Sequence, residues 1–146
     1  MAGKTVEEIF KEKLDEATVF TATTFASVVL INDGKGRFNI AHLPAPLQWS
    51  PVFAFTTGDF NKDGKTDFLA GGNFYGTRPY EGRYDAMPLT LYYGENKGRF
   101  RAELPFPEVL KNINGEVRCI QPIGLAGNKK GLLIGINNSE LKLLEY

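Results

Sequence analysis

The chain has 146 residues, 17 basic and 17 acidic side chains, and a formal net charge of zero. That length, with an apolar fraction of 42%, suits one globular domain with a real core and argues against disorder. Charge balance argues against a nucleic-acid partner or a membrane surface, which usually call for a basic excess, and no apolar run reaches membrane-spanning length.

Residues 1–16 read as a helix. Thr5 and Glu8 match a capping box, in which hydroxyl and carboxylate satisfy free N–H groups at the helix start. Val6, Ile9, Phe10 and Leu14 then share one face, which a helix of about three turns needs to pack against something. The segment lacks the apolar core of a signal peptide. If the parent protein is secreted, this chain is a mature form or an excised piece of it.

From residue 17 the sequence turns β-branched and aromatic. "ATVF", "FASVVLIN" and "RFNIAHL" come first, with Asp33-Gly34 between the second and third. Asp-Gly there signals a hairpin, because such a turn needs positive φ. "VFAFTT", "TDFLAGG", "LTLYYG", "RFRAEL", "EVRCIQPI", "GLLIGI" and "LKLLEY" follow, so roughly ten strands are expected. Pro44, Pro46, Pro51, Pro105 and Pro107 fall between strand groups, where they disturb no sheet.

An internal repeat links "LINDGKGRFNIAHLP" (30–44) to "YYGENKGRFRAELP" (92–105), with Phe38 and Phe100 in equivalent places. Repeated small antiparallel sheets predict a mainly β, propeller-type architecture. The expected division of this single domain is a partial blade over 17–46, a complete blade over 47–107 and a degenerate last blade over 108–146. Two to three units cannot close a ring that needs about four. Further copies of the chain, as a homo-oligomer, or additional blades upstream would complete it; packing of the units as a sandwich is the other solution.

Within the complete unit lies "DFNKDGKTD". Counting from Asp59, side-chain oxygens fall at positions 1, 3 and 5 (Asp59, Asn61, Asp63), a glycine at 6 (Gly64), a backbone carbonyl at 7 (Lys65) and a carboxylate at 9 (Asp67). This is the ligand spacing of a calcium loop, and Ca2+ is the expected cofactor. Magnesium fits less well, because it prefers a tight octahedron with retained waters. An EF-hand is excluded: position 12 is Ala70, and the flanks read as strands. The bland alternative is an Asx/Gly turn.

"DFNKDGKTDFLAGGN" resembles the repeat of the FG-GAP/VCBS class, the integrin-α-like β-propellers. Together with "FASVVLINDGKGRF", "GNFYG", "GRYDA" and "GEVR", it is similar to the C-terminal region of bacterial VCBS proteins associated with ASPIC/UnbV. The resemblance runs from about Glu7 to the end. It implies a secreted or cell-surface parent and calcium in the loop joining the first two strands of a blade. The implied ligands are Asp59, Asn61, Asp63, the Lys65 carbonyl and Asp67. Members of the class carry more blades upstream than this chain does.

The connection 73–87 gathers Tyr75, Arg78, Tyr80, Arg83 and Tyr84, residue types typical of a recognition surface for a protein or glycan. The competing and favoured reading folds the loop over its own blade, with tyrosines on the core and arginines paired to Glu81 or Asp85. His42 is the only histidine and reads as a sheet residue; Cys119 alternates with Val117 and reads as core; Trp49 reads as an inter-blade plug. With no nucleophile or acid–base pair identified, the expectation is a non-catalytic module. A polysaccharide-acting hydrolase fragment and a purely structural, self-assembling piece are the alternatives.

Overall fold

The structure, a computed structural model, describes residues 3–103 and 107–146. It is mainly β. Among the described residues, nine strands form three antiparallel sheets whose strands follow chain order without crossovers.

The helix is shorter than its apolar spacing predicts. α1 covers Val6–Phe10 and continues as a 3-10 turn over Lys11–Leu14, after a break at Lys11, whose φ is 45°. The capping box is present: Thr5 N–H donates to Glu8 Oε2 at 2.8 Å, and Glu8 N–H to Thr5 Oγ1 at 3.3 Å. The expected packing is not: Val6 and Phe10 are exposed, and neither segment buries a residue. "ATVF" forms no strand.

The first sheet is the hairpin β1 (Val28–Asn32) and β2 (Phe38–His42). Asn32 pairs with Phe38, so the connection spans residues 33–37, with Gly34 at φ 75° and Gly36 at φ 80°. The second sheet runs β3 (Val52–Gly58), β4 (Asp67–Gly72), β5 (Thr90–Gly94) and β6 (Phe100–Ala102). A short helix, α2 (Glu108–Lys111), precedes the third sheet of β7 (Val117–Gly124), β8 (Lys130–Ile136) and β9 (Lys142–Glu145).

The sheets stack face to face, with the second in the middle. Successive side chains of a strand point to opposite faces, and at β4 both faces of the middle sheet are covered. All six residues of β4 are therefore buried, which explains why "DFLAGG" shows no polar alternation. Phe68 and Ala70 join Tyr92, Met87 and Leu47 in a cluster on the side of the first sheet, where Phe68 and Tyr92 stack at 4.7 Å. Leu69, on the other face, packs with Ala54, Leu89 and Leu110 against Val117, Ile120, Leu132, Ile134 and Leu144 of the third sheet. Between the first and middle sheets an apolar cleft of about 300 Å³ stays open, lined by residues such as Val29, Leu47, Phe55 and Phe100.

The sheets are also copies of one another. The β1–β2 pairs Leu30↔Ile40 and Asn32↔Phe38 match Tyr92↔Ala102 and Gly94↔Phe100 of β5–β6. β7–β8–β9 repeats β3–β4–β5. Each starts with a register shift, between Val52 and Ala54 and between Val117 and Cys119, and Phe68↔Tyr92 corresponds to Leu132↔Leu144. That irregularity corrects one expectation. It breaks the alternation between Val117 and Cys119, so Val117 is buried and Cys119 is exposed. Trp49, expected as a plug, is 59% exposed.

Candidate metal centre

The acidic loop occupies residues 59–66, between β3 and β4, whose last ladder pair is Gly58↔Asp67. The chain reverses at Lys62 (φ 62°) and Gly64 (φ 82°), the second being the position where glycine was expected for a sharp turn.

The alternating oxygens turn inward onto the loop's own backbone. Asp59 accepts from the N–H groups of Asp63 (3.0 Å) and Gly64 (2.9 Å). Asn61 Oδ1 accepts from Asp63 N–H at 3.0 Å, and Asp63 Oδ1 from Lys65 N–H at 2.8 Å. The Lys65 N–H, followed by the Asn61 amide, holds the Asp63 carboxyl below the usual carboxylate range. Asp63 is thus an anion fixed in place by dipoles.

Asp67 differs from the other two carboxylates. It opens β4 and is fully buried, at 0% exposure. Its Oδ2 accepts from Phe60 N–H at 2.9 Å, and its Oδ1 from Gly94 N–H at 2.8 Å. Gly94 is required there, because a Cβ would run into the Thr66 carbonyl. Among the described residues no Lys or Arg is ion-paired with Asp59, Asp63 or Asp67.

The donor set suits a hard cation. All its side-chain ligands are oxygens, and each carboxylate oxygen named here accepts a single N–H, leaving a lone pair for a further partner. Among the described residues, however, no three Asp, Glu, His or Cys side chains converge into a group that could hold a metal ion. Closure around an ion therefore needs Asp59 and Asp63 to draw in toward Asp67.

The aromatic loop does not fold over its own blade, the reading favoured from the sequence. Phe74 and Tyr84 form a bridge with reciprocal backbone bonds of 2.8 and 3.0 Å. Tyr80 and Tyr84 are 76% and 50% exposed, so they do not lie on the core. Arg78 donates to the Tyr80 hydroxyl at 2.7 Å, and Arg83 sits 5.1 Å from the Tyr75 ring centre. Neither arginine pairs with Glu81 or Asp85 among the described residues.

Sequence reasoning missed a polar junction between the middle and last sheets. Asn73, 3% exposed and at φ 76°, accepts from Met87 N–H at 3.0 Å and donates to the Gly115 carbonyl at 3.3 Å. Arg118 donates to the Asn73 carbonyl at 3.0 Å and to Glu116 Oε1 at 2.6 Å, and lies 4.1 Å from the Phe53 ring centre. Glu116 also accepts from Tyr75 N–H (2.9 Å) and the Asn137 amide (2.8 Å). The Tyr75 N–H, then Asn137, push its carboxyl below the ordinary range. The only hint in the sequence is a polar cluster in "GEVR" beside apolar strand residues.

No helix among the described residues is long and apolar enough to cross a membrane. Comparison of the chain with protein-family models, with curated proteins and with solved structures found no match in any of the three.

Proposed function

We propose that this chain is a non-catalytic, calcium-binding module of stacked β-sheets, of the FG-GAP/VCBS propeller type, that supports protein or glycan contact outside the cell. The observation that carries the reading is Asp67, a fully buried carboxylate with two backbone donors and, among the described residues, no ion-paired Lys or Arg, closing a loop with oxygens at positions 1, 3, 5 and 9. Buried charges are normally paired or bound to metal.

Asp59, Asn61, Asp63, the Lys65 carbonyl and Asp67 would hold the ion. Bound calcium supplies the positive charge that offsets three neighbouring carboxylates. The chain's own contribution is positional. Loop N–H groups orient Asp59 and Asp63, while Phe60 and Gly94 fix Asp67 at the sheet edge. The ion's role is structural: it ties the β3–β4 connection to the end of β5. The exposed Tyr80 and Tyr84, beside Arg78 and Arg83, form the surface offered to a protein or glycan.

Isothermal titration calorimetry of the EDTA-stripped chain tests the metal site. One calcium per chain, with much weaker magnesium binding, is expected. Absence of calcium binding at millimolar concentration overturns the reading.

A further inference from the structure

The two outer faces of the stack are the two sides of a contact the molecule already makes internally. Tyr92, Phe100 and Ala102 belong to the middle-sheet face that turns toward the first sheet, and Tyr92 is fully buried there. Their register equivalents in the first sheet are Leu30, Phe38 and Ile40. These three lie on the outward face and are 58%, 60% and 61% exposed. At the other end, Ala54, Leu69 and Leu91 form the middle-sheet face that packs on the last sheet. Their equivalents, Cys119, Leu133 and Leu143, face outward, and Leu143 is 58% exposed.

We propose that a second copy of this chain covers these faces, the last sheet of one copy docking on the first sheet of the next. The contact continues the sheet-on-sheet interface seen twice within the chain, with the same strand positions meeting. It is heterologous: Leu143 of one copy meets the Phe38 face of the other. A two-fold pair forms it twice and leaves neither face bare. Such a pair contains six stacked sheets, within the range of about four to eight at which rings of small antiparallel sheets close. The inference goes beyond the module reading above and rests on strand register and exposed apolar residues, not on the loop ion.

Light scattering coupled to size exclusion tests it on the full chain, in calcium and in EDTA. The expected wild-type mass is twice that of the chain in both buffers, so a failed metal site leaves this readout unmoved. Phe38→Asp and Leu143→Asp should each halve the mass with an unchanged far-ultraviolet circular dichroism spectrum. Mixing the two variants should restore a two-chain species, because each retains the face the other lacks. If either aspartate unfolds the chain, Ile40→Ser and Leu143→Ser replace the pair. A wild type that stays monomeric as concentration rises overturns the proposal and assigns the faces to other chains. Failure of the mixed variants to associate overturns the head-to-tail arrangement.

Discussion

Gly94 donates its backbone N–H to Asp67 Oδ1 at 2.8 Å, joining residues 27 positions apart and fixing the end of β5 to the start of β4. The bond requires the two backbones to approach so closely that a Cβ on Gly94 would strike the Thr66 carbonyl. Gly94→Ala should therefore destabilise the chain by about 1–3 kcal/mol, because backbone cannot yield as a side-chain tip can. It should also weaken calcium binding by moving Asp67. Urea denaturation and calcium titration of the same variant read both effects, and an unshifted urea midpoint would show that the approach is not tight.

Calcium should raise the melting temperature and EDTA should lower it. At a hundredfold excess over Kd, binding to the folded state alone adds about 2.7 kcal/mol. For a domain of this size that corresponds to roughly 5–11 °C. Asp63→Ala should melt like the EDTA-treated wild type and ignore added calcium. Differential scanning calorimetry provides the check; identical melts with and without the ion exclude a structural role for it.

Acid should weaken the junction between the middle and last sheets. The Glu116 carboxyl is depressed in the folded state, chiefly by the Tyr75 N–H and then by the Asn137 amide. A depressed carboxylate contributes stability that is present above its unfolded value, about 4.3 for Glu, and is lost as pH falls through the folded value. Glu116→Gln should lower stability at pH 6 and flatten the decline below about pH 4.3. Urea midpoints across that window measure it, and parallel acid limbs for variant and wild type would show that Glu116 carries none of the effect.

Tyr92 should be improved by losing its hydroxyl. The residue is fully buried, its hydroxyl oxygen has no hydrogen-bond partner among the described residues, and burial pushes its ionisation up to about 12. Tyr92→Phe keeps the ring stacked on Phe68 and removes an unsatisfied polar atom. A gain of about 1 kcal/mol is expected from chemical denaturation; a loss would mean that the hydroxyl has a partner in solution.

The fold was legible wherever local rules act alone. Short β-branched and aromatic runs between Gly, Pro, Asn and Asp located the nine strands of the described residues, with "ATVF" as a tenth run that forms none, and Thr5 with Glu8 announced a capping box that forms. The repeat around Phe38 and Phe100 pointed to two hairpins that share one register. Cys119 was misplaced because a register shift leaves no signature in "EVRCIQPI". Trp49 and the apolar side of α1 were expected to be covered, since periodicity reveals an apolar stripe but not whether anything lies against it.

Within the site, the spacing from Asp59 to Asp67 marked the loop and its turn at Gly64, while the burial of Asp67 depends on β5 arriving from 27 residues away. The Asn73–Glu116–Arg118–Asn137 junction was invisible for the same reason. Four of its bonds join residues 21 to 45 positions apart, beyond the reach of any local pattern, and only the Arg118–Glu116 pair within "GEVR" is local.

Beyond the matched pairs Gly58↔Asp67 and Ile123↔Gly131, the ladders of β3–β4 and β7–β8 carry connectors of different length, residues 59–66 in one and 124–130 in the other. Strand pairing is thus indifferent to what bridges the strand ends, and that rim of the protein behaves as a socket. Grafting residues 59–66 in place of 124–130 should leave the host ladder up to Ile123↔Gly131 undisturbed, with Gly131→Asp and Tyr146→Gly, at the positions of Asp67 and Gly94, as substitutions the transplant would also need.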